Sequence, residues 1–201
     1  ESARLDLFAE DIRTTLKAFG VNEFDLYGES AGAILALEIT RQAGGRIGKL
    51  ILDRPELPKA TLRNDLIKSA APHIEARWDG SHFLTAWHIL RDGALFWPWY
   101  KTEVAHVRNI EPEVEPLSLQ TKMLAWLKGR LTYGDYMRAA FSADHEAILR
   151  QTKHPCMIIG TDGDVLESDA RLAADSLVSS TFVLHNELRP PVSYMENFLS
   201  F

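Results

Sequence analysis

The sequence predicts an α/β fold: a mostly parallel sheet with flanking helices, interrupted by an all-helical insertion. Three observations predict it. First, a strand-forming run, a Gly-x-Ser-x-Gly turn and a helix-forming run follow one another over residues 24–43, and a second strand-like run follows at 49–53. Second, strand texture returns at 156–160 and again at 181–185. Third, the long stretch between these two blocks carries helical patterns and no convincing strand.

From Arg4, apolar residues fall at Leu5, Phe8, Ile12, Leu16 and Phe19. Spacings of three and four place them on one stripe of a helix. Gly20 is the expected C-terminal stop. Asn22 and Glu23 turn the chain into a strand over 24–27. After the turn at 28–32, good helix formers run from Ala33 through Ile39 to about Ala43, where Gly44 and Gly45 end the helix. Residues 49–53, Lys-Leu-Ile-Leu-Asp, are short and apolar, as a buried parallel strand is. Strand, helix and strand at this spacing form a βαβ unit, whose crossover is right-handed.

The texture changes after Pro55. All five tryptophans lie in the next hundred residues, at Trp78, Trp87, Trp97, Trp99 and Trp126. Helices are expected over 62–71, 81–90, 117–128 and 133–149, with Pro112 and Pro116 breaking the middle. So long an insertion between two strands is not an ordinary loop. Residues 1–55 and 152–201 are therefore expected to form an α/β core, and 56–151 a helical cap over the strand ends. The run Phe96-Trp97-Pro98-Trp99-Tyr100 is too aromatic for a solvated loop. It is expected to pack the insertion or to wall an apolar cavity. Beyond the strand 156–160 comes the acidic turn Thr161-Asp162-Gly163-Asp164, then a helix over 168–177 with Ser168 as N-cap. A strand at 181–185 and a helix over 191–201 complete the pattern.

Composition bounds the function classes. The chain has 201 residues, 46% hydrophobic and 25% charged, enough for a sizeable core. The net charge is −6 and the basic residues are scattered, so no nucleic-acid partner is expected. The single cysteine, Cys156, excludes an internal disulfide and reads as a buried core thiol. No apolar stretch approaches the ~20 residues that span a bilayer, so no membrane partner is expected. No signal peptide is visible, and the expected location is cytoplasmic. His82 and His88 lack the spacing of a helical metal pair, and no cysteine or carboxylate motif joins them. Neither a metal nor a cofactor is expected. Arg91 and Asp92 read as an ion pair or a substrate contact.

The chemistry centres on Gly28-Glu29-Ser30-Ala31-Gly32. Between a strand and a helix, this wording is that of a nucleophile elbow. The turn is tight enough to strain the serine backbone, and the flanking glycines let strand and helix approach. A serine hydroxyl attacks only when a base takes its proton, usually a histidine oriented by a carboxylate. After such an elbow the chain order is Ser, then Asp or Glu, then His. The sequence supplies that order: Ser30, then Asp162 or Asp164 past one strand, then His185 at the end of the next. All sit at carboxyl ends of strands, where parallel sheets gather their functional groups.

These residues and their order make the chain resemble the α/β-hydrolase fold family, over about 4–55 and 152–201. The Gly-Glu-Ser-Ala-Gly wording is similar to serine carboxylesterases. The resemblance implies that the strands here are the fifth to the eighth of the family's sheet. It also places about four further strands, and a His-Gly loop giving the second oxyanion donor, ahead of Arg4. A preceding segment or a second chain is expected to complete the sheet. The resemblance further implies Ser30 as nucleophile and the Ala31 amide as an oxyanion donor, a type worth about 3–4 kcal/mol. It favours Asp164, followed by Val165 and Leu166, over Asp162 as the acid. Asp53 is a third candidate, because some members use the end of the sixth strand. His185 is the base. Glu29, Trp87, Phe96, Trp97 and Trp99 are candidate substrate contacts.

The expected activity is that of a serine hydrolase cleaving an ester or related acyl bond of a small molecule through an acyl-enzyme. The alternative is a non-catalytic binding protein or subunit of the same fold, with an incomplete triad.

Overall fold

The computed structural model describes residues 4–186. The elements run α1 (Leu5–Ala18), β1 (Phe24–Glu29), α2 (Ala31–Ala43), β2 (Ile47–Asp53), α3 (Ala60–Ser69) and α4 (Ser81–Leu95). There follow α5 (Pro116–Lys128), α6 (Tyr133–Ser142), α7 (His145–Gln151), β3 (Cys156–Thr161), α8 (Glu167–Ser176) and β4 (Ser180–His185). Two compact units divide them. One holds Arg4–Pro58 and the described residues from Ala143 onward; the other is Lys59–Ser142.

The first unit is built on a four-stranded sheet in the order β1-β2-β3-β4, with every neighbouring pair parallel. Glu29 lies beside Asp53, Asp53 beside Ile159, and Thr161 beside His185. This register brings the carboxyl ends of the strands to one end of the sheet. All six residues of β3 are buried, as expected of an interior parallel strand. Edge strand β1 instead alternates between more and less exposed residues. Strand β2 begins at Ile47, two residues before the apolar run that signalled it.

Helix α2 is buried on most of its surface, with Ala33, Ile34, Ala36, Leu37 and Ile39 in the core. Each fully buried Leu or Ile contributes about 1.5–3 kcal/mol. Its buried Glu38 is matched by Arg41, Nη2 to Oε1 at 2.6 Å, and by Gln42 Nε2 at 2.7 Å. Helix α1 packs on α2, its Leu5 and Ala9 are buried, and Arg13 Nη1 donates to Gln42 Oε1 at 3.0 Å. It ends as the glycine signal implies. Gly20, at φ +75°, donates to Lys17 O at 3.0 Å, and Val21 N donates to Leu16 O at 2.9 Å.

The second unit is helical. Helix α4 packs on α5, and α3 on α6. Its core joins Ile74, Ala86 and Ile89 with Trp99, Met123, Trp126 and Leu127. Pro116 opens α5 at a position that needs no N–H donor, and Glu115 caps it by accepting from Ser118 N at 2.6 Å. One antiparallel bridge, Phe96 to Val107, is described within this unit.

Two expected boundaries are corrected. The helix expected over 133–149 is two helices, α6 and α7, because the Asp144 side chain accepts from Ala147 N at 2.9 Å and starts a new one. Ser168 does not cap α8. That helix starts at Glu167 with Leu166 as N-cap, and the Glu167 carboxylate accepts from Gly163 N at 3.1 Å. The helix expected over 191–201 lies outside the described residues.

Candidate active site

Ser30 stands between β1 and α2 with φ 55° and ψ −126°, one of two non-glycine residues at positive φ among the described residues. Such a backbone costs about 1–3 kcal/mol and persists only where the surroundings fix it. Here the fixing groups are visible. Ser30 N donates to Asp53 O at 2.9 Å, carrying the β1–β2 ladder one step past the strand. A Cβ on Gly28 would sit 2.5 Å from Gly32 O and 2.8 Å from the Ala33 Cα, so glycine is required at that point. A Cβ on Gly32 would meet nothing within 4 Å. Of the two flanking glycines, only Gly28 is demanded by close approach.

Arg54 is the other positive-φ residue, at +46°. It turns the chain sharply as it leaves β2, and its N–H donates to Ile159 O at 2.8 Å. The turn carries the buried segment 55–58 back toward Ser30. There the Ser30 Oγ donates to Glu56 Oε2 at 2.8 Å. Glu56 is only 2% exposed. The next residue, Leu57, donates its N–H to Asp169 Oδ2 on α8 at 2.8 Å, which anchors the segment from the other side. Glu56 is a site residue that sequence reasoning missed. The available signal was an acidic residue just past the β2 strand end, three positions beyond Asp53.

Asp53 and Arg54 form a buried ionic network with β1. Tyr27 Oη donates to Asp53 Oδ2 at 2.6 Å, Arg54 Nε to Asp53 Oδ1 at 3.1 Å, and Arg54 Nη2 to Glu29 Oε1. Burial pulls the Arg54 guanidinium down, but the charges of Asp53 and Glu29 outweigh it and raise its pKa. Burial, then the bond to Asp53, pushes the Tyr27 phenol well above its ordinary range. Asp53 is thus committed to Tyr27 and Arg54, and Glu29 to Arg54.

The remaining sequence-predicted residues are placed as follows. Asp162 is exposed, whereas Asp164 is buried. Asp164 Oδ1 accepts from Leu166 N at 2.7 Å, and its charge reaches Arg54. His185 is buried at the last position of β4, beside Thr161, and its carbonyl accepts from Asp162 N at 2.7 Å. The acidic turn and the histidine therefore share one end of the sheet. Ala31 is the first residue of α2; amides of a first helical turn have no acceptor within their own helix and favour negative charge. The Ser30 proton itself points at Glu56.

Trp87, Phe96, Trp97 and Trp99 all belong to the helical unit and are half-buried. Trp99 packs in that unit's core, its Nε1 donating to Ala70 O at 2.8 Å. Arg91 and Asp92 form an ion pair at 2.6 Å. Among the described residues, no group of three or more His, Cys, Asp or Glu is arranged to hold a metal ion, and no helix is long and apolar enough to cross a membrane.

No family model matches the chain, and no curated protein does either. Solved structures do. A hydrolase from Pseudomonas aeruginosa PA01 is 20% identical with a TM-score of 0.66, over 100% of this chain and 74% of that one. The enol-lactonase from Burkholderia xenovorans LB400 is 15% identical with a TM-score of 0.68, over 98% and 74%. An alpha/beta hydrolase enzyme from a Medee basin deep-sea metagenome library is 15% identical with a TM-score of 0.58, over 100% and 72%. At these identities the likeness shows the fold alone. That fold is the α/β-hydrolase fold.

Proposed function

We propose that this chain is a serine hydrolase that cleaves an ester or related acyl bond of a small molecule, with Ser30 as nucleophile. The observation that carries the reading is the Ser30 backbone, held at φ 55° between a parallel strand and a buried helix. In this fold function lives in the site rather than the scaffold, and Ser30 is the strained residue at the end of β1. The names of the similar proteins, a hydrolase and an enol-lactonase among them, are in keeping with acyl chemistry.

In this reading Ser30 Oγ attacks the acyl carbon, and the Ala31 N–H stabilises the developing oxyanion. His185 takes the proton and returns it to the leaving group, with Asp164 holding the imidazole. The chemistry needs no cofactor. A fluorophosphonate probe tests it: the full-length protein is expected to be labelled, and Ser30→Ala is expected to abolish labelling and ester hydrolysis. A folded wild-type protein that resists the probe overturns the hydrolase reading in favour of a non-catalytic binding protein.

A further inference from the structure

The two non-glycine residues at positive φ among those described, Ser30 and Arg54, belong to one closed ring. Ser30 follows Glu29 in the chain, and Arg54 follows Asp53. Arg54 Nη2 donates to Glu29 Oε1, and Ser30 N donates to Asp53 O at 2.9 Å. Two chain links and two polar contacts therefore close on each other. Further bonds stiffen the ring. Arg54 Nε donates to Asp53 Oδ1 at 3.1 Å, and Tyr27 Oη donates to Asp53 Oδ2 at 2.6 Å. The Arg54 N–H, on Ile159 O at 2.8 Å, ties it to the interior strand β3.

Such a ring restrains Ser30 from both sides. The serine leaves its strained backbone only by pulling its N–H off Asp53 O or by dragging Glu29 away from Arg54. The first loses a backbone hydrogen bond, and the second a charge-assisted one. The planar guanidinium meets two carboxylates at once, which a lysine ammonium does not copy. The members differ in what they give to folding. Asp53 and Arg54 are buried. The Glu29 side chain is 42% exposed, and an ion pair open to water contributes little to stability. Glu29 is nonetheless the residue joined to Ser30. Its contact with Arg54 bears more on where Ser30 sits than on whether the chain folds.

We propose that Arg54 is the positioning residue for Ser30, gripping the backbone of the nucleophile through Glu29 on one side and Asp53 on the other. The inference rests on Ser30 being the nucleophile of the proposed hydrolase. Arg54 acts on the reaction through these two neighbours. It holds the Ser30 φ, and with it the place of Oγ relative to the acyl carbon and the Ala31 N–H. Attack needs the reacting atoms aligned at about 3–3.5 Å, and a small displacement slows it by roughly an order of magnitude or more. Glu29 is then the link from Arg54 to Ser30 rather than a substrate contact.

The Arg54 charge also reaches Asp164, so Glu29 is the cleaner place to open the ring. The test measures second-order labelling by a fluorophosphonate probe on the full-length wild type, Glu29→Gln, Glu29→Ala, Arg54→Lys and the double variant Glu29→Ala/Arg54→Lys. All are assayed at a temperature where circular dichroism shows them folded. Glu29→Ala is expected to label about tenfold slower than wild type. Glu29→Gln, whose amide oxygen still accepts from Arg54, is expected to fall between the two. Arg54→Lys is expected to be slowed as well. The double variant is expected to be no slower than the slower single one, because the ring is opened only once. Glu29→Ala labelling at or above the wild-type rate overturns the proposal, since a carboxylate that merely opposed the oxyanion would give that result. Multiplied effects in the double variant overturn it too, because Glu29 would then act independently of Arg54. If Arg54→Lys does not fold, the Glu29 variants decide alone: slow Ala with intermediate Gln supports the proposal, and any other order overturns it. A folded wild type that resists the probe, with every variant resisting it as well, removes the Ser30 reading itself and this proposal with it.

Discussion

Gly28 faces the carbonyl of Gly32 so closely that a methyl group on Gly28 would lie 2.5 Å from that oxygen, with the Ala33 Cα at 2.8 Å. Both obstacles are backbone, so no side chain can swing aside. Gly28→Ala is expected to destabilise the protein by about 1–3 kcal/mol and to displace Ser30. Gly32→Ala meets open space within a helix, where alanine is favoured over glycine by about 0.5–1 kcal/mol. Urea midpoints of the two variants are expected to move in opposite directions. A Gly28 variant as stable as wild type sinks the close-approach account.

Arg54 neutralises two carboxylates from a buried position at positive φ. Arg54→Ala leaves Asp53 and Glu29 without their counter-charge, and is expected to destabilise by about 3–5 kcal/mol. Arg54→Lys keeps the charge but loses the planar fork that meets both acids, so it recovers only part of the loss. Chemical denaturation of the two variants measures this. An Ala variant within experimental error of wild type refutes it.

Tyr27 links pH to stability. Burial and the bond to Asp53 raise its folded pKa above the unfolded value near 10. A raised pKa means stability that is fully present below pH ~10 and is lost as pH climbs through the folded value. The denaturation midpoint is therefore expected to fall as the pH rises above about 10. In Tyr27→Phe that fall is expected to be smaller. Equal slopes in both proteins would show that Tyr27 is not the linked group.

Cys156 is buried in β3, and burial raises its thiol to about 11. At pH 8 only about one thiol in a thousand is then the reactive thiolate. Iodoacetamide is expected to leave the native protein unmodified over an hour and to label it promptly in denaturant. Rapid native labelling, followed by mass, contradicts this placement.

Much of the first unit was legible because its rules are local. Lys49–Asp53 and Cys156–Gly160 are short apolar runs with few alternatives to buried parallel strands, and the strand, serine and helix around Ser30 declare themselves in a dozen residues. The break between α6 and α7 was not legible, because helical periodicity runs on through 142–145 and only the Asp144 side chain, competing for Ala147 N–H, decides it. The start of α8 was hidden for a similar reason. Ser168 has the better capping chemistry, but Asp164 and Glu167 satisfy the amides of the preceding turn first. Glu56 was least visible. No periodicity or motif marks a lone glutamate between two prolines, and its closeness to Ser30 arises only when β1 and β2 pair and Arg54 turns the chain.

Strands β2 and β3 are neighbours in the sheet, yet the whole of Lys59–Ser142 lies between them in sequence. The price of closing a flexible loop grows only with the logarithm of its length, about 0.6 kcal/mol for each doubling. Once that gap is as wide as it is here, further lengthening or shortening barely changes the free energy of pairing β2 with β3. The junctions near Pro58 and Ala143 are therefore where the inserted unit can change in length at little cost to the pairing of β2 with β3, while the strand ends that hold Ser30 and Glu56 stay as they are.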